Sequence, residues 1–258
     1  MAHADKLVWL ARLGFAGRGF LYLVIAWLVI GSGKETDLTG ALEYLREERA
    51  LLIALLIGFI GYGFWRVTDA IFDSEGHGGG KKGALGRVGA GVSGVIYLFL
   101  AWQAWKFIQG EGGSSGNGAQ EHAGTVMHLP GGTILIEVGG VILFLAGLWQ
   151  LKRAISGDFC KHLRPDIRHQ EWVKWMGRGG YGARGVIFIV TAFFLISAGL
   201  SGDPSEAGGM EDALKWLSSP VNLIVAAGLA LFGLFSLVES RFRQIHAPPV
   251  DRMAASLT

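Results

Sequence analysis

The sequence predicts an all-α integral membrane protein with six transmembrane helices, arranged as three tandem helical hairpins in a pseudo-threefold bundle. Composition is the first of three observations behind this prediction. Hydrophobic residues make up 51% of the 258 positions and charged residues only 17%, whereas soluble domains carry about 25% charged residues. The mean hydropathy of +0.40 agrees with a membrane protein. A net charge of only +2 also argues against the basic surface of a nucleic-acid-binding protein.

Apolar runs of membrane-spanning length are the second observation. A helix needs about 20 mostly apolar residues to cross ~30 Å of hydrocarbon. Six runs of this length are bounded by charge, glycine or proline, and they predict helices over roughly 14–33, 50–72, 88–108, 133–155, 180–200 and 221–240. Because no small-residue cleavage site follows the first run, we expect it to remain as a signal anchor.

An internal repeat is the third observation. The frame R-x-G-x4-G-x-[LI]-[YF] occurs three times, as RLGFAGRGFLYLVIAW from Arg12, RVGAGVSGVIYLFLAW from Arg87 and RGGYGARGVIFIVTAF from Arg178. The second helices align more weakly, through a glycine column (Gly63, Gly147, Gly233), an aromatic column (Trp65, Trp149, Phe235) and a charged column (Asp69, Arg153, Glu239).

Each copy of such a repeat predicts one structural unit. We assign repeat 1 to residues 1–75, repeat 2 to 76–160, repeat 3 to 161–245 and a flexible tail to 246–258. Each unit is expected to cross the membrane, run along the outer face as a short amphipathic helix, and return. The shared glycines of the first helices are expected to be packing surfaces, because close backbone approach supplies packing energy in lipid.

The positive charges predict the orientation of the chain. With the N-terminus inside, eighteen of the twenty-three Lys and Arg residues lie in inner segments or adjoining helix ends. Loops rich in Lys and Arg stay in the cytoplasm, so both termini are predicted to be cytoplasmic.

The repeat frame, together with ALEYL at Ala41 and ALKWL at Ala213 in the outer loops, resembles a known family. These are the bacterial membrane proteins of domain-of-unknown-function family 1206, built from tandem copies of a two-helix unit. The resemblance covers roughly residues 10–242, and it implies a multi-pass protein of the bacterial cytoplasmic (inner) membrane without an assigned activity. One departure is Ser93, which stands where repeats 1 and 3 have Arg18 and Arg184.

Ionisable residues inside the apolar runs are the main candidates for function, because each costs ~2.5–3.5 kcal/mol at the centre of a membrane helix. Arg18 and Asp69 are expected at similar depth near the cytoplasm, as are Arg184 and Glu239. We predict an Arg–carboxylate pair inside each of these two hairpins, with Arg66 also within reach of Asp69 at i, i+3. Such pairs either clamp the helices or form a polar ring that binds an anion or a lipid phosphate.

Arg66, Arg153 and Glu137 are further candidates for polar or lipid contacts. Glu137 either lines a polar cavity or reaches the outer interface. The basic loop over residues 156–179 either holds anionic lipid headgroups at the cytoplasmic face or serves only to set the topology.

Signatures of catalysis and of cofactor binding are not found in the sequence. All seven histidines lie outside the predicted helices, so none is placed to ligate a haem within the membrane. One cysteine, Cys160, cannot form an intrachain disulfide. We therefore expect no catalytic, cofactor or metal site.

The expected function is that of a non-enzymatic membrane scaffold or assembly partner. The alternative is a small transporter, channel-like or lipid-binding module with its pathway along the pseudo-threefold axis. The expected partners are the lipid bilayer, anionic lipids at the cytoplasmic face and another membrane protein, and not nucleic acid.

Overall fold

The structure is a computed structural model that describes residues 2–73, 75–76, 78, 80–111 and 118–245. Over these residues the chain forms α-helices, two short 3-10 turns and no β-strand. The helices are α1 (Ala2–Ser32), α2 (Leu38–Tyr44), α3 (Arg49–Phe72), α4 (Gly80–Ile108), α5 (Gly118–Met127), α6 (Gly132–Ser156), α7 (Pro165–Arg168), α8 (Glu171–Ser201), α9 (Met210–Leu217) and α10 (Val221–Phe242). The tail predicted over 246–258 lies outside the described residues.

Six helices, α1, α3, α4, α6, α8 and α10, match the predicted spans. Each is long and apolar enough to cross a membrane, and the chain is that of a multi-pass membrane protein. The second helix of every repeat agrees with its predicted bounds to within two residues. The first helices begin eight or more residues earlier than predicted, at Ala2, Gly80 and Glu171. A search for apolar runs stops at charged and polar residues that still belong to the helix.

The short helices α2, α5 and α9 lie at the distal end of the bundle, which is the end opposite the start of α1 and the close of α10. Asp37 caps α2 by accepting a hydrogen bond from the Gly40 N–H at 2.8 Å. At the other end, here called the terminal end, the connection from α6 to α8 is tied to the close of α10. The Arg164 N–H donates to the Phe242 carbonyl at 3.0 Å, and the Gln244 N–H donates to the His162 carbonyl at 2.8 Å.

The long helices form a ring that follows the order of the chain and has one break. Helices of neighbouring repeats pack together at α3–α4, α6–α8 and α10–α1, and within repeats α1 packs against α3 and α8 against α10. In the described part of the chain, α4 and α6 form no interface of comparable extent. The predicted hairpin of repeat 2 is therefore open, and the bundle of three closed hairpins is not confirmed.

A glycine column of the repeat frame accounts for the three interfaces between repeats. A methyl group on each of these glycines would crowd a glycine carbonyl oxygen of the neighbouring helix. The pairs, with the distance from the methyl carbon to that oxygen, are Gly19 with Gly233 (2.7 Å), Gly94 with Gly63 (3.0 Å) and Gly185 with Gly147 (3.1 Å). Equivalent residues thus make equivalent contacts, in which small side chains allow close backbone approach.

The first glycine of the frame lies in the interfaces within repeats 1 and 3. A methyl carbon on Gly14 would lie 2.7 Å from the Gly58 carbonyl oxygen of α3, and one on Gly180 would lie 2.6 Å from the Phe232 Cα of α10. The equivalent Gly89 has no described atom of another helix within 4 Å. This glycine therefore borders the opening in the ring.

The repeat column that contacts the first glycine differs in residue size in repeat 2. Gly14 and Gly180 pack against Tyr62 and Phe232, which occupy one column of the repeat. Repeat 2 has the small Ala146 in that column, so a bulky aromatic partner for Gly89 is missing. α4 is held instead by α3 of repeat 1, and α6 by α8 of repeat 3.

Aromatic side chains fill the interior of the ring. Tyr62 contacts Tyr97 of α4 edge-on, with ring centroids 4.6 Å apart, and Tyr22 of α1 contacts Phe232 in the same way at 4.9 Å. All four residues are buried. A pathway along the axis of the ring would have to pass through this packed layer.

Candidate functional site

Two arginines of the repeat frame hold the ends of neighbouring helices at the terminal end. Arg12 donates to two carbonyl oxygens in the last turn of α10, both at 2.7 Å. Arg87 donates to two carbonyl oxygens in the last turn of α3, at 2.8 and 2.7 Å. Such carbonyls have no donor within their own helix, and a cation there also interacts favourably with the helix dipole. In these two repeats, the frame arginine thus caps the C-terminal end of the second helix of another repeat.

A buried network of charges is centred on Glu239 of α10. One carboxylate oxygen accepts from Nη2 of Arg18 and the other from Nη1 of Arg243, both at 2.5 Å. Arg18 also donates from Nε to the Ser236 hydroxyl at 3.1 Å and from Nη1 to the Tyr62 hydroxyl at 3.2 Å. Arg18 is 7% exposed and Glu239 1%. A buried ion pair is favourable only when further hydrogen bonds satisfy its remaining polar atoms, and the two hydroxyls contribute these.

The network continues from Arg243 to the loop after α3. Nη2 of Arg243 lies 2.8 and 2.9 Å from the two carboxylate oxygens of Glu75. Nη1 of Arg66 lies 3.6 Å from Glu75 Oε2 and 3.2 Å from Asp69 Oδ2. The other Asp69 oxygen accepts from the Glu75 backbone N–H at 2.7 Å. Three arginines therefore meet three carboxylates, and the network joins α1, α3 and α10.

Burial and ion pairing act in opposite directions on the members that lie beyond the spanning helices. Burial disfavours the ionised form of Glu75, but attraction to Arg243, and then to Arg66, outweighs burial and lowers the pKa of Glu75. Burial likewise disfavours the charged form of Arg243, while Glu75 and Glu239 outweigh it and raise the pKa of Arg243. Both groups therefore stay charged at neutral pH.

The charged residues meet in a different pairing from the predicted one. Arg18 pairs with Glu239 of repeat 3 and not with Asp69 of its own hairpin, because α1 packs against α10 across the repeat boundary. The prediction of an Arg184–Glu239 pair is also wrong, since both oxygens of Glu239 face other arginines. Asp69 does pair with Arg66, as the i, i+3 spacing predicts.

Two of the predicted arginines lie outside this network. The guanidinium carbon of Arg184 stands 4.4 Å from the centroid of the Phe232 ring, and its buried Nε has no hydrogen-bond partner among the described residues. The guanidinium carbon of Arg153 stands 4.5 Å from the centroid of the Tyr181 ring. Cation–π contacts contribute about 0.5–2 kcal/mol, far less than a buried charge loses on leaving water. The cation–π contacts therefore do not replace a counter-ion for either guanidinium group.

The last candidate, Glu137, lies at the distal end, where its side chain packs against Gly199 of α8. A polar cavity of about 320 Å³ is also found at that end, and Lys34, Glu35 and Glu211 are among the residues that line it. Glu137 is not one of them. Within the described ranges, no three His, Cys, Asp or Glu side chains are grouped as metal ligands would be.

Sequence reasoning missed Glu75 and Arg243. Both follow the last turn of an apolar run, where a charged residue carries no signal of burial. Ser236 and Tyr62 were missed as well. Ser236 precedes Glu239 by three positions, and therefore lies on the same face of α10. That spacing is the signal that could have identified it.

Comparisons with known proteins agree with the repeat. The profile of the family described as Domain of Unknown Function (DUF1206) matches residues 13–73, 88–157 and 179–243, once in each repeat. A protein of Bacillus subtilis (strain 168) named Uncharacterized protein YxxB is 29% identical over 249 residues, which are 91% of this chain and 90% of that protein. No solved structure matches the chain at a significant level. Because the three matches together cover well over half of its length, the chain belongs to the family described as Domain of Unknown Function (DUF1206).

Proposed function

We propose that this protein is a non-enzymatic membrane protein that binds a bilayer lipid in the opening between α4 and α6. The observation that carries the proposal is the missing interface of repeat 2. Gly89 faces no other described helix, although its counterparts Gly14 and Gly180 are both tightly packed. Acyl chains would occupy the place that a second helix takes in the other repeats.

The walls of the opening support an acyl occupant. In their most apolar stretches α4 and α6 are only 28% and 17% buried, whereas the other four long helices are 33–67% buried. The exposed side chains along these two helices are mostly aliphatic, among them Val88, Val92 and Val95 on α4 and Val138, Ile142 and Leu145 on α6. Apolar surface of this extent is compatible with lipid and not with water.

The interior favours lipid binding at the side of the ring over conduction along its axis. The layer of Tyr22, Tyr62, Tyr97 and Phe232 closes the axis. The charges of the Glu239 network are neutralised by one another and held by hydrogen bonds. A conduit needs mobile or hydrated polar groups at successive depths, and packed pairs of this kind do not supply them.

A membrane scaffold is the second candidate function. Gly89 of α4 and Gly139 of α6 both have no described neighbour within 4 Å. Glycines on the two walls would let the transmembrane helix of a partner protein approach closely. We also propose, from the distribution of Lys and Arg, that the terminal end faces the cytoplasm of a bacterial cell and that the protein resides in the inner membrane.

Disulfide cross-linking tests whether the opening exists in a membrane. In a background with Cys160→Ser, the pair Gly89→Cys and Ala146→Cys would be bridged only if α4 and α6 packed as the other hairpins do. The control pair is Ala70→Cys with Gly91→Cys at the α3–α4 interface, where a methyl carbon on Gly91 would lie 3.5 Å from the Ala70 Cβ. Disulfides require about 3.5–4.5 Å between Cβ atoms.

We expect the control pair to cross-link and the Gly89–Ala146 pair to remain reduced. Mass spectrometry of the protein purified in mild detergent should then detect retained phospholipid. Efficient cross-linking of the Gly89–Ala146 pair would refute the opening. A stoichiometric membrane protein in place of lipid would favour the scaffold.

A further inference from the structure

Equivalent positions at the three interfaces between repeats carry different charges. At the α10–α1 interface Arg18 of a first helix contacts Glu239 of the second helix of another repeat, and the repeat alignment assigns one residue of each kind to the other two interfaces. The pairs are Arg18 with Glu239, Ser93 with Asp69 and Arg184 with Arg153. The first interface is neutral because its two members form a salt bridge. The second is neutral because Arg66 compensates Asp69 from the same helix.

The α6–α8 interface is the exception, since it places two arginines opposite one another. Neither Arg153 nor Arg184 takes part in any ion pair between described residues. Their guanidinium groups lie instead at the two ends of an aromatic pair, Arg153 on Tyr181 and Arg184 on Phe232, whose ring centroids are 5.5 Å apart. These two positive charges are therefore not balanced by a paired carboxylate, since Glu137, the carboxylate that packs in this interface, lies at its distal end.

The two side chains can reach a common anion. At the equivalent positions of the α10–α1 interface, Arg18 and Glu239 approach to 2.5 Å. The glycine crossing that sets the helix separation is the same at both interfaces, with Gly19 against Gly233 and Gly185 against Gly147. Long side chains on Arg153 and Arg184 can therefore converge on one tetrahedral group between them.

Both arginines are also less buried than the residues at the equivalent positions of the α10–α1 interface. Arg184 is partly exposed, whereas its counterpart Arg18 is 7% exposed. Arg153 lies in the last turn of α6, at the level where lipid headgroups meet the end of a spanning helix.

We infer that Arg153 and Arg184 together bind the phosphate of an anionic phospholipid whose acyl chains lie between α4 and α6, an inference that rests on the proposed function. Arginine suits this role because its planar fork of N–H donors matches two phosphate oxygens. Charge complementarity selects a phosphate ester, and the apolar walls select a lipid over free phosphate. The aromatic rings hold the two guanidinium groups when the site is empty.

Native mass spectrometry of the detergent-purified full chain, with added phosphatidylglycerol or phosphatidylcholine, tests the inference. We expect wild-type protein to prefer phosphatidylglycerol, and Arg153→Gln with Arg184→Gln to weaken its binding at least about tenfold, as the loss of charge-assisted hydrogen bonds predicts. Lys152→Gln is the matched control, because it removes one exposed charge beside Arg153 and should leave the preference unchanged. Thermal unfolding measurements check that the variants fold. Arg184→Lys keeps the positive charge but not the planar guanidinium group, and it should retain part of the preference for phosphatidylglycerol.

The outcomes separate the inference from the proposed function. If both lipids bind equally and the double substitution has no effect, the arginine site is refuted while lipid binding in the opening stands. If no lipid binds, both fail. If excess inorganic phosphate displaces phosphatidylglycerol and binds equally well without it, the site takes a free anion and the assignment to a lipid is wrong.

Discussion

Replacing the first glycine of the repeat frame by alanine in each repeat tests the open ring, because one substitution meets three different surroundings. A methyl carbon would lie 2.7 Å from the Gly58 oxygen at Gly14 and 2.6 Å from the Phe232 Cα at Gly180, while at Gly89 no described atom of another helix lies within 4 Å. Carbon atoms in contact are normally ~3.5–4.0 Å apart. The methyl group would also crowd the Cβ of Tyr62 at Gly14 and the backbone nitrogen and Cβ of Phe232 at Gly180. Backbone atoms and Cβ atoms move only with their helix, so the helices themselves must separate.

The expected magnitudes follow from two opposing terms. Overpacking costs about 1–3 kcal/mol, whereas alanine in place of glycine in a helix gains about 0.5–1 kcal/mol. We therefore expect Gly14→Ala and Gly180→Ala to destabilise the protein by up to about 2.5 kcal/mol. Gly89→Ala should be neutral or should stabilise it by up to about 1 kcal/mol.

Thermal unfolding of the three variants in one detergent measures the difference. At roughly 2–4 °C per kcal/mol for a chain of this size, the Tm of Gly14→Ala and Gly180→Ala should fall by several degrees, and that of Gly89→Ala should not fall. A decrease for Gly89→Ala equal to that for Gly14→Ala would mean that α6 packs against α4, and the open ring would be refuted.

Three further predictions concern the charged residues. Glu239→Gln should destabilise the protein by about 3–5 kcal/mol, since it leaves two buried arginines without their shared carboxylate. The control Glu171→Gln removes an exposed ion pair and should leave Tm unchanged. Equal effects of the two substitutions in thermal unfolding would contradict the network. Arg12→Gln should speed hydrogen exchange at the end of α10, because it removes the donors to the last-turn carbonyls. The control is Arg178→Gln, which should not change this exchange, because the Arg178 side chain caps no described helix end. Identical exchange in the two variants would argue against capping. Because the pKa of Glu75 is lowered in the folded protein, its ion pairs contribute fully above its unfolded pKa of about 4.3. They are lost as pH falls through the lower folded value. Glu75→Gln should therefore flatten the fall in Tm between about pH 5 and pH 3, and an unchanged slope would contradict this.

The helices and glycine contacts could be predicted because they depend on local properties of the sequence. Apolar length identifies each spanning helix, and glycines such as Gly19 and Gly185 recur at fixed positions of a frame whose members pack alike. The sequence also contained a signal for the open hairpin. Ala146 replaces the large aromatic residues of the other repeats, but its meaning depends on knowing that those aromatic residues contact the first glycine of the frame, Gly14 or Gly180.

The partners of the buried charges could not be predicted in the same way. Asp69 and Glu239 occupy one column, and α1 packs against both α3 and α10, so the sequence offers Arg18 two equivalent carboxylates. The choice is made by the position of Ser236, which holds Arg18 against α10, and by Arg66, which already neutralises Asp69. Such competition among neighbours emerges only once the helices are placed.

The contact between the first and last spanning helices can form only after nearly the whole chain has been synthesised. Arg18 and Glu239 are separated by 221 positions, so at a synthesis rate of ~5–20 residues per second the arginine waits roughly 10–45 s for its counter-ion to be translated. A chain that ends before α10 lacks the carboxylate that pairs with Arg18 in the complete protein. Unfinished copies therefore differ from finished ones by an arginine without its counter-ion.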